Sequence, residues 1–332
     1  MGTVDSVHNG TKCEYWPHHF NSGSLLTMTA RLLQYLPHIA LGGVFAKAGY
    51  DILTTSKYMK SLTHQMDGKE TLMDSGTSAL IEKVMEKLNL DTSIRDKIFF
   101  FVTSQNDPVT KGNAYWRTGA FVGLPYSFQF RSPDDAEKSP LMVSDQQLQV
   151  DWSSEEGKKL ASALVLSDNA KSFVIARDVN ILRLFISHTE VFLQAAFVII
   201  GYTAMKTLNK YLFLPKKIPN WSRYTALTMV GVSVLTIYMA AADMYSCSKD
   251  IRTDRKTAKL SKEFTEGGVE YYEKIVARNQ AIRAVMGEDH CDAYTAEGDD
   301  VRTLRTPHLP FSVRLTYLKS HLDDYKQMEE FK

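Results

Sequence analysis

The chain's nine histidines and three cysteines are its soft metal donors and candidate nucleophiles. A helical zinc site of the HExxH kind needs two imidazoles one turn apart, at i and i+4, with a glutamate between them to activate water. No two histidines here have that spacing and no HExxH occurs. Cys13, His18 and His19 could be read as ligands, but an isolated trio in an N-terminal tail is far more often incidental. Cys13, Cys247 and Cys291 are odd in number and widely spaced, and no CxxC occurs. They make neither a disulfide framework nor a zinc ribbon. Without GxGxxG, a P-loop or GxSxG, neither a phosphate cradle nor a nucleophile elbow is encoded. The acid pairs Glu155-Glu156, Asp299-Asp300 and Glu329-Glu330 sit in polar runs and read as solvated surface. Asp178 and Asp254 are set apart by position: they fall on helical segments on either side of a pair of apolar stretches.

Those stretches are the clearest elements in the chain. Thr225 to Ala242 carries no charge and is flanked by Trp221, Tyr224 and Tyr245, the composition of a membrane span with interfacial aromatics. Leu184 to Met205 is the second arm, with His188 and Glu190 in its first turns, where they would sit near an interface or face the partner helix. The connecting loop holds Lys206, Lys210, Lys216, Lys217 and Arg223 and no acid, with Pro215 and Pro219 as helix breakers. Its charge favours the matrix or cytoplasmic side for the loop. The segment after the second arm is also basic, so orientation stays open. A third apolar stretch, Leu32 to Ala46, contains Pro37 and His38 and reads as an anchor, an interfacial helix or part of an import signal.

Composition bounds the rest. Hydrophobic residues are 44% and charged residues 23%, an ordinary globular balance that excludes wholesale disorder, collagen and coiled coil. The 39 basic and 38 acidic side chains leave a net charge of +1, too little excess for a nucleic-acid partner. Mean hydropathy of −0.23 excludes a chain that is membrane-embedded throughout. The N-terminus lacks the basic-then-apolar layout of a cleaved secretory signal. The acid-free stretch Tyr15 to Tyr50, with Arg31 and Lys47, is compatible with mitochondrial import. Met1-Gly2 with Ser6 fits the loose myristoylation pattern.

The expected fold is an α+β membrane protein: a small β-sheet plus helices, with a two-helix transmembrane hairpin inserted between two amphipathic helices. The parts are residues 1–65 (targeting and candidate anchor), 66–183 (soluble α+β), 184–245 (hairpin, arms 184–205 and 223–244) and 246–332 (C-terminal helices packing with 66–183). Helices are expected from Ser78 to Leu88 and from Asp168 to Leu184. Strands are expected at Ile98–Val102, Gly119–Phe130 and Leu148–Trp152, where aromatic and β-branched residues dominate. Asp151-Trp152 reads as a strand end with a buried indole. A charged helix runs from Lys249 to Phe264 and is interrupted by Gly267-Gly268, where a positive φ or tight corner is expected. A further helix follows to Met286, with Gly287 as its cap, Tyr272 inward and Glu270–Lys274 as an i,i+4 surface pair. The final polar helix is expected to be solvated.

Four separated blocks carry a family resemblance: Gly119–Phe128 (GAFVGLPYSF), Val150–Val179, Asp254–Ile275 and Thr306–Arg314 (TPHLPFSVR). In this order, with the hairpin between the second and third, they resemble the transmembrane protein 177 family. Its motif positions here are Gly123, Pro125, Asp151, Trp152, Gly267, Gly268, Tyr272 and Glu273. The resemblance implies a multi-pass protein of the mitochondrial inner membrane. It further implies a non-enzymatic role in cytochrome c oxidase biogenesis, stabilising newly made subunit 2 and its membrane chaperone. It implies no cofactor and no small-molecule substrate; the lipid bilayer is the remaining partner. Gly201, Gly231 and Ser233 would let a client span approach the hairpin closely.

A fainter resemblance is to HtpX-like membrane zinc metallopeptidases. LSDNAKSFVIARDVNIL is similar to their metal-binding helix, with Arg177 and Ile181 where the two histidines would stand and Asp178 where the catalytic glutamate would. RTDRKTAKLS is similar to the helix after the hairpin, with Arg252 near the glutamate ligand and Asp254 at the following aspartate. Arg and Ile cannot ligate zinc, so this resemblance implies a degenerate zincin-like scaffold, a pseudoenzyme. Asp178 would then pair with Arg177 or, across the two helices, with Arg252. The competing functions are a membrane zinc metallopeptidase and a scaffold protein of another membrane.

Overall fold

In the computed structural model, the described residues are 22–66, 69–138, 142–143, 146–184, 186–213, 218–287, 293–302 and 305–330. Cys13, His18, His19, Cys291, the Met1-Gly2/Ser6 pattern and the loop residues Pro215, Lys216 and Lys217 lie outside them.

The elements in order are α1 (Ser22–Ser61), the hairpin β1 (Gln65–Met66) and β2 (Lys69–Glu70), α2 (Ser75–Lys87), α3 (Thr92–Arg95), β3 (Ile98–Thr103), β4 (Val109–Gly112) and β5 (Ala120–Pro125). Then come the hairpin β6 (Met142–Val143) and β7 (Gln146–Gln147), α4 (Glu155–Leu164), α5 (Asp168–Leu182), α6 (Ile186–Leu208), α7 (Asn220–Ala258), α8 (Lys262–Met286) and α9 (Phe311–Glu330). The starts of α2, α4 and α5 are written locally. Asp74, Ser154 and Ser167 each accept the backbone N–H three residues on, satisfying a donor that the first helical turn cannot.

The main sheet has three strands in the order β3-β5-β4. β5 is central, parallel to β3 and antiparallel to β4. Against it lies α5, whose residues from Phe173 to Asn180 are all buried. An amphipathic helix cannot do this; α5 is enclosed on all sides, by α2, α7, α8 and the sheet. Phe173, Ile175, Val179, Tyr272 and Leu318 form the centre of the resulting core. Burying an aliphatic or Phe side chain contributes roughly 1.5–3 kcal/mol each. A second cluster, around Phe130, Leu160, Leu164 and Ile282, joins α4 to the far end of α8.

Several expected elements differ. The strand Gly119–Phe130 is shorter: β5 ends at Pro125 and a 3-10 turn follows from Tyr126 to Gln129, because Pro cannot continue a central ladder. Leu148–Trp152 is not a strand. Asp151 and Trp152 make a turn into α4, where the Asp151 side chain accepts the Ser153 N–H at 3.0 Å. The Trp152 ring is half-buried against the second cluster. Gly267-Gly268 does not break a helix. α8 runs through both, and the break comes earlier, between Ala258 and Lys262. Glu270 and Lys274 are not paired: Glu270 accepts from Ser167 and Lys274 donates to the Ser162 carbonyl at 2.7 Å. The last helix is not merely solvated; Leu318 is fully buried and Arg314 nearly so.

Candidate functional site

In chain order the membrane layer lies between α5 and α8. α6 and α7 each contain a stretch long and apolar enough to cross a bilayer, and almost none of either stretch is buried inside the protein. Phe192, Ile199, Ile200, Met229, Val232, Leu235 and Ile237 are exposed there. A soluble protein rarely leaves so contiguous an apolar surface in water. α7 then continues without a break out of the apolar run to Ala258. At 1.5 Å per residue it is about 58 Å long, so one rigid rod links the membrane layer to the core. α1 packs along α6 and brings the Leu32–Ala46 stretch beside the hairpin.

At the aqueous end of that rod lies a buried ionic network. Arg177 donates from Nε and Nη2 to Asp178 Oδ1 at 2.8 and 2.6 Å, and from Nη1 to the Tyr272 hydroxyl oxygen at 3.3 Å. The Tyr272 hydroxyl donates to Asp254 at 3.1 Å. Arg314 closes the chain with a two-pronged contact, Nε and Nη2 to the two Asp254 oxygens at 2.7 and 2.8 Å. Its guanidinium lies 4.7 Å above the Tyr272 ring. Beyond it, Asp250 comes within 4.0 Å of Arg314 and accepts the Leu309 N–H at 3.1 Å. Four helices thus converge: α5 supplies Arg177 and Asp178, α7 Asp250 and Asp254, α8 Tyr272, and α9 Arg314.

Each charge has a counter-charge, as burial in a low dielectric demands. Burial pushes Asp178 above the ordinary carboxylate range against the pull of Arg177 and Arg314. Its second oxygen, Oδ2, has no hydrogen-bond partner among the described residues. Burial likewise raises the Tyr272 phenol well above its usual value, so it stays a neutral donor. The Arg314 guanidinium, disfavoured by burial, is held firmly charged by Asp254.

Of the five residues aligned with a metal centre, the structure brings three together: Arg177, Asp178 and Asp254. Ile181 is half-buried one turn further along α5, where it lines a cavity beside α1. Arg252 is exposed and makes no pair with Asp178; the cation that reaches across the helices is Arg314 on α9, and it pairs with Asp254. Among the described residues, no three His, Cys, Asp or Glu side chains gather closely enough to hold a metal ion.

Arg314 ends the terminal sequence block, but nothing in the sequence reading gave it a role. A signal was there: Phe311, Leu315 and Leu318 form an apolar stripe on α9, and Arg314 interrupts it. An arginine on a buried stripe calls for a buried acid.

The remaining motif residues are packing devices. Gly123 sits where a Cβ would lie 2.7 Å from the Phe101 ring, and Pro125 ends β5 opposite Thr103. A Cβ on Gly267 would overlap the Asn169 carbonyl oxygen, and one on Gly268 would come 2.7 Å from both Leu318 and Phe173. These two glycines let α8 cross the start of α5. Glu273 is half-exposed and pairs with Lys319 at 2.8 Å. Of the three expected hairpin packing positions, Gly201 is the close-contact one, its absent Cβ facing Val234 at 3.2 Å. Gly231 has open space around it, and Ser233 is exposed, its hydroxyl bonded back to the Met229 carbonyl at 2.9 Å.

Comparison with known proteins follows the same outline. A family model described as Transmembrane protein 177 matches residues 51–331. Proteins named Transmembrane protein 177 are similar to the chain along much of its length. That of Danio rerio is 29% identical over 79% of this chain and 84% of its own. That of Mus musculus is 30% identical over 71% and 75%, and that of Xenopus laevis 25% over 90% and 96%. No solved structure matches the chain.

Proposed function

The chain belongs to the transmembrane protein 177 family, and from that premise we propose that it is a non-enzymatic assembly factor of the mitochondrial inner membrane. In this reading it supports cytochrome c oxidase biogenesis by holding newly made subunit 2 and its membrane chaperone. The observation that carries the reading is the family match along residues 51–331, which takes in both the hairpin and the core. The membrane layer supports it physically. The outer faces of α6 and α7 expose Phe192, Ile199, Ile200 and Val232, side chains that an apolar client span could cover.

The non-enzymatic part of the reading rests on the network. Where a metallopeptidase would present neutral imidazoles, this chain presents a guanidinium, and a fixed cation opposes a bound metal cation. We read the arrangement of α5, hairpin and α7 as a zincin-like layout in which salt bridges stand in for the metal. Element analysis of purified protein tests this: stoichiometric zinc would overturn it.

The function is tested by pull-down of tagged protein from mitochondria labelled during mitochondrial translation. Newly made subunit 2 should co-purify above an inner-membrane control. Mitochondrial residence without retention of any newly made subunit would reject the assembly role, and residence in another membrane would favour a scaffold there.

A further inference from the structure

Two cavities meet at Gln194 on α6. One, of about 410 Å³, is an apolar groove between α1, α6 and α7, lined by Pro37, Ala40, Phe197, Gly201, Gly231 and Tyr238 among others. The other, of about 630 Å³, lies next to it towards the core, lined by Val44, Ile52, Phe192 and Leu184 together with charged residues. The residue numbers give the direction. On α6 the lining runs from Glu190 to Met205, while on α1 it runs the opposite way, from Ile52 back to Pro37. The two cavities are therefore one path, starting beside the water-exposed sheet and ending within the hairpin.

Along α6 it is about 22 Å long, from Glu190 to Met205 at 1.5 Å per residue, which is most of the apolar arm. Its charge is also graded. The deep part has no charged lining residue. The mouth has Lys47, Lys111 and Lys249 against Asp51 and Glu190. Lys47 is committed to Asp51 at 3.0 Å. Lys111 sits over the Tyr58 ring at 4.4 Å, and neither it nor Lys249 has a carboxylate partner among the described residues. The mouth, at the start of the apolar span of α6, thus offers Lys111 and Lys249 to an anion, with Glu190 as the opposing carboxylate. The groove beyond it is lined almost wholly by apolar surface, which suits hydrocarbon.

We propose that this path is a phospholipid site, with the phosphate held between Lys111 and Lys249 and an acyl chain laid along the groove past Gly201 and Gly231. A client helix is the poorer occupant, since a helix is about 10–12 Å across with its side chains and an apolar span brings no anion to the mouth. The inference needs only that α6 and α7 lie in a bilayer; it stands whether or not the client is an oxidase subunit.

The test is phospholipid retained by the full-length chain, purified in detergent and washed to remove loosely held lipid, measured by mass spectrometry of the extract. Wild type should keep about one phospholipid per chain. Gly231→Trp fills a position with open space around it and should lower retention at least fivefold. Met229→Trp, on an exposed face of the same helix, should not. The double variant Lys111→Glu/Lys249→Glu leaves the groove intact and should also lower retention at least fivefold, which keeps the test decisive if the Gly231 variant fails to fold. Equal retention in wild type and all variants would mean surface lipid only and overturn the proposal. So would competition by millimolar inorganic phosphate without retained lipid, or a groove occupied by a second chain in cross-linking.

Discussion

Gly267 and Gly231 lie on neighbouring long helices and do opposite things. Gly267 is closed in: α8 passes so near the start of α5 that any side chain there would meet the Asn169 backbone. Gly231 looks into empty space on the wall of the apolar groove. The core around Gly267 is held in one arrangement by hydrophobic burial and by a charge network drawn from four helices. The membrane layer around Gly231 has no such driving force between its helices, since lipid is as apolar as leucine, so it can keep voids and exposed faces. Where water is the solvent the chain is closed; where lipid is the solvent it is left open to something else.

Breaking this contrast is easiest at its most committed point. Arg314→Met leaves the buried Asp254 with only the Tyr272 hydroxyl and no adjacent guanidinium, and should cost about 3–5 kcal/mol, read as the loss of a folded core by proteolysis in detergent. Pairing it with Asp254→Asn should recover part of that loss if the two act as a unit. Gly267→Ala should cost about 3 kcal/mol, the upper end for overpacking, because its neighbour is backbone and cannot swing aside. Tyr272→Phe removes one link between the two ion pairs while leaving each intact, and should cost about 2 kcal/mol in thermal melts.

Asp178 sharpens the comparison through pH. Its folded carboxyl is raised above the ordinary range by burial, so the proton it holds favours the folded state. That contribution is fully present below the unfolded value near 3.9 and is lost as pH rises through the folded value. The stability of wild type relative to Asp178→Asn should fall with rising pH in that window, by at most about 1.4 kcal/mol per unit. A flat difference would show that Asp178 titrates alike in both states. At the small end, Gly231→Ala should change stability by no more than about 0.5 kcal/mol, against the large loss at Gly267. Equal losses at the two glycines would erase the distinction between the halves.

Part of this was legible before the structure, for identifiable reasons. The hairpin is written in hydropathy, whereas α4 and the serine caps of α4 and α5 went unread, although Ser154 and Ser167 stand three residues ahead of the N–H each accepts. Asp178 and Asp254 stood out only through their position in a motif that had lost its metal ligands. Their partner did not, because Arg314 is 60 residues from Asp254 and pairs with it only once α9 docks on α8. Periodicity sees one helix at a time. It could mark Arg314 as an oddity on an apolar stripe, but not say what it meets. The Gly267-Gly268 pair was misjudged for a related reason. Glycine weakens an isolated helix, but here the loss is offset by a crossing that only glycine allows. The strand expected at Leu148–Trp152 failed because the turn chemistry of Asp151 and Ser154 outweighed β-propensity.

The placement of the hairpin has a consequence for how the chain is made. Arg177 and Tyr272 touch across 95 residues, and the apolar hairpin is the segment between them. On a ribosome, α5 emerges complete, with its apolar surface, guanidinium and carboxylate, well before the helices that will enclose it exist. Its enclosure waits until both arms have entered the bilayer and returned α7 to the side from which the chain left. Membrane insertion is thereby a checkpoint on the folding of the water-soluble half: a chain whose hairpin fails to insert leaves α5 uncovered, marked for chaperone or protease.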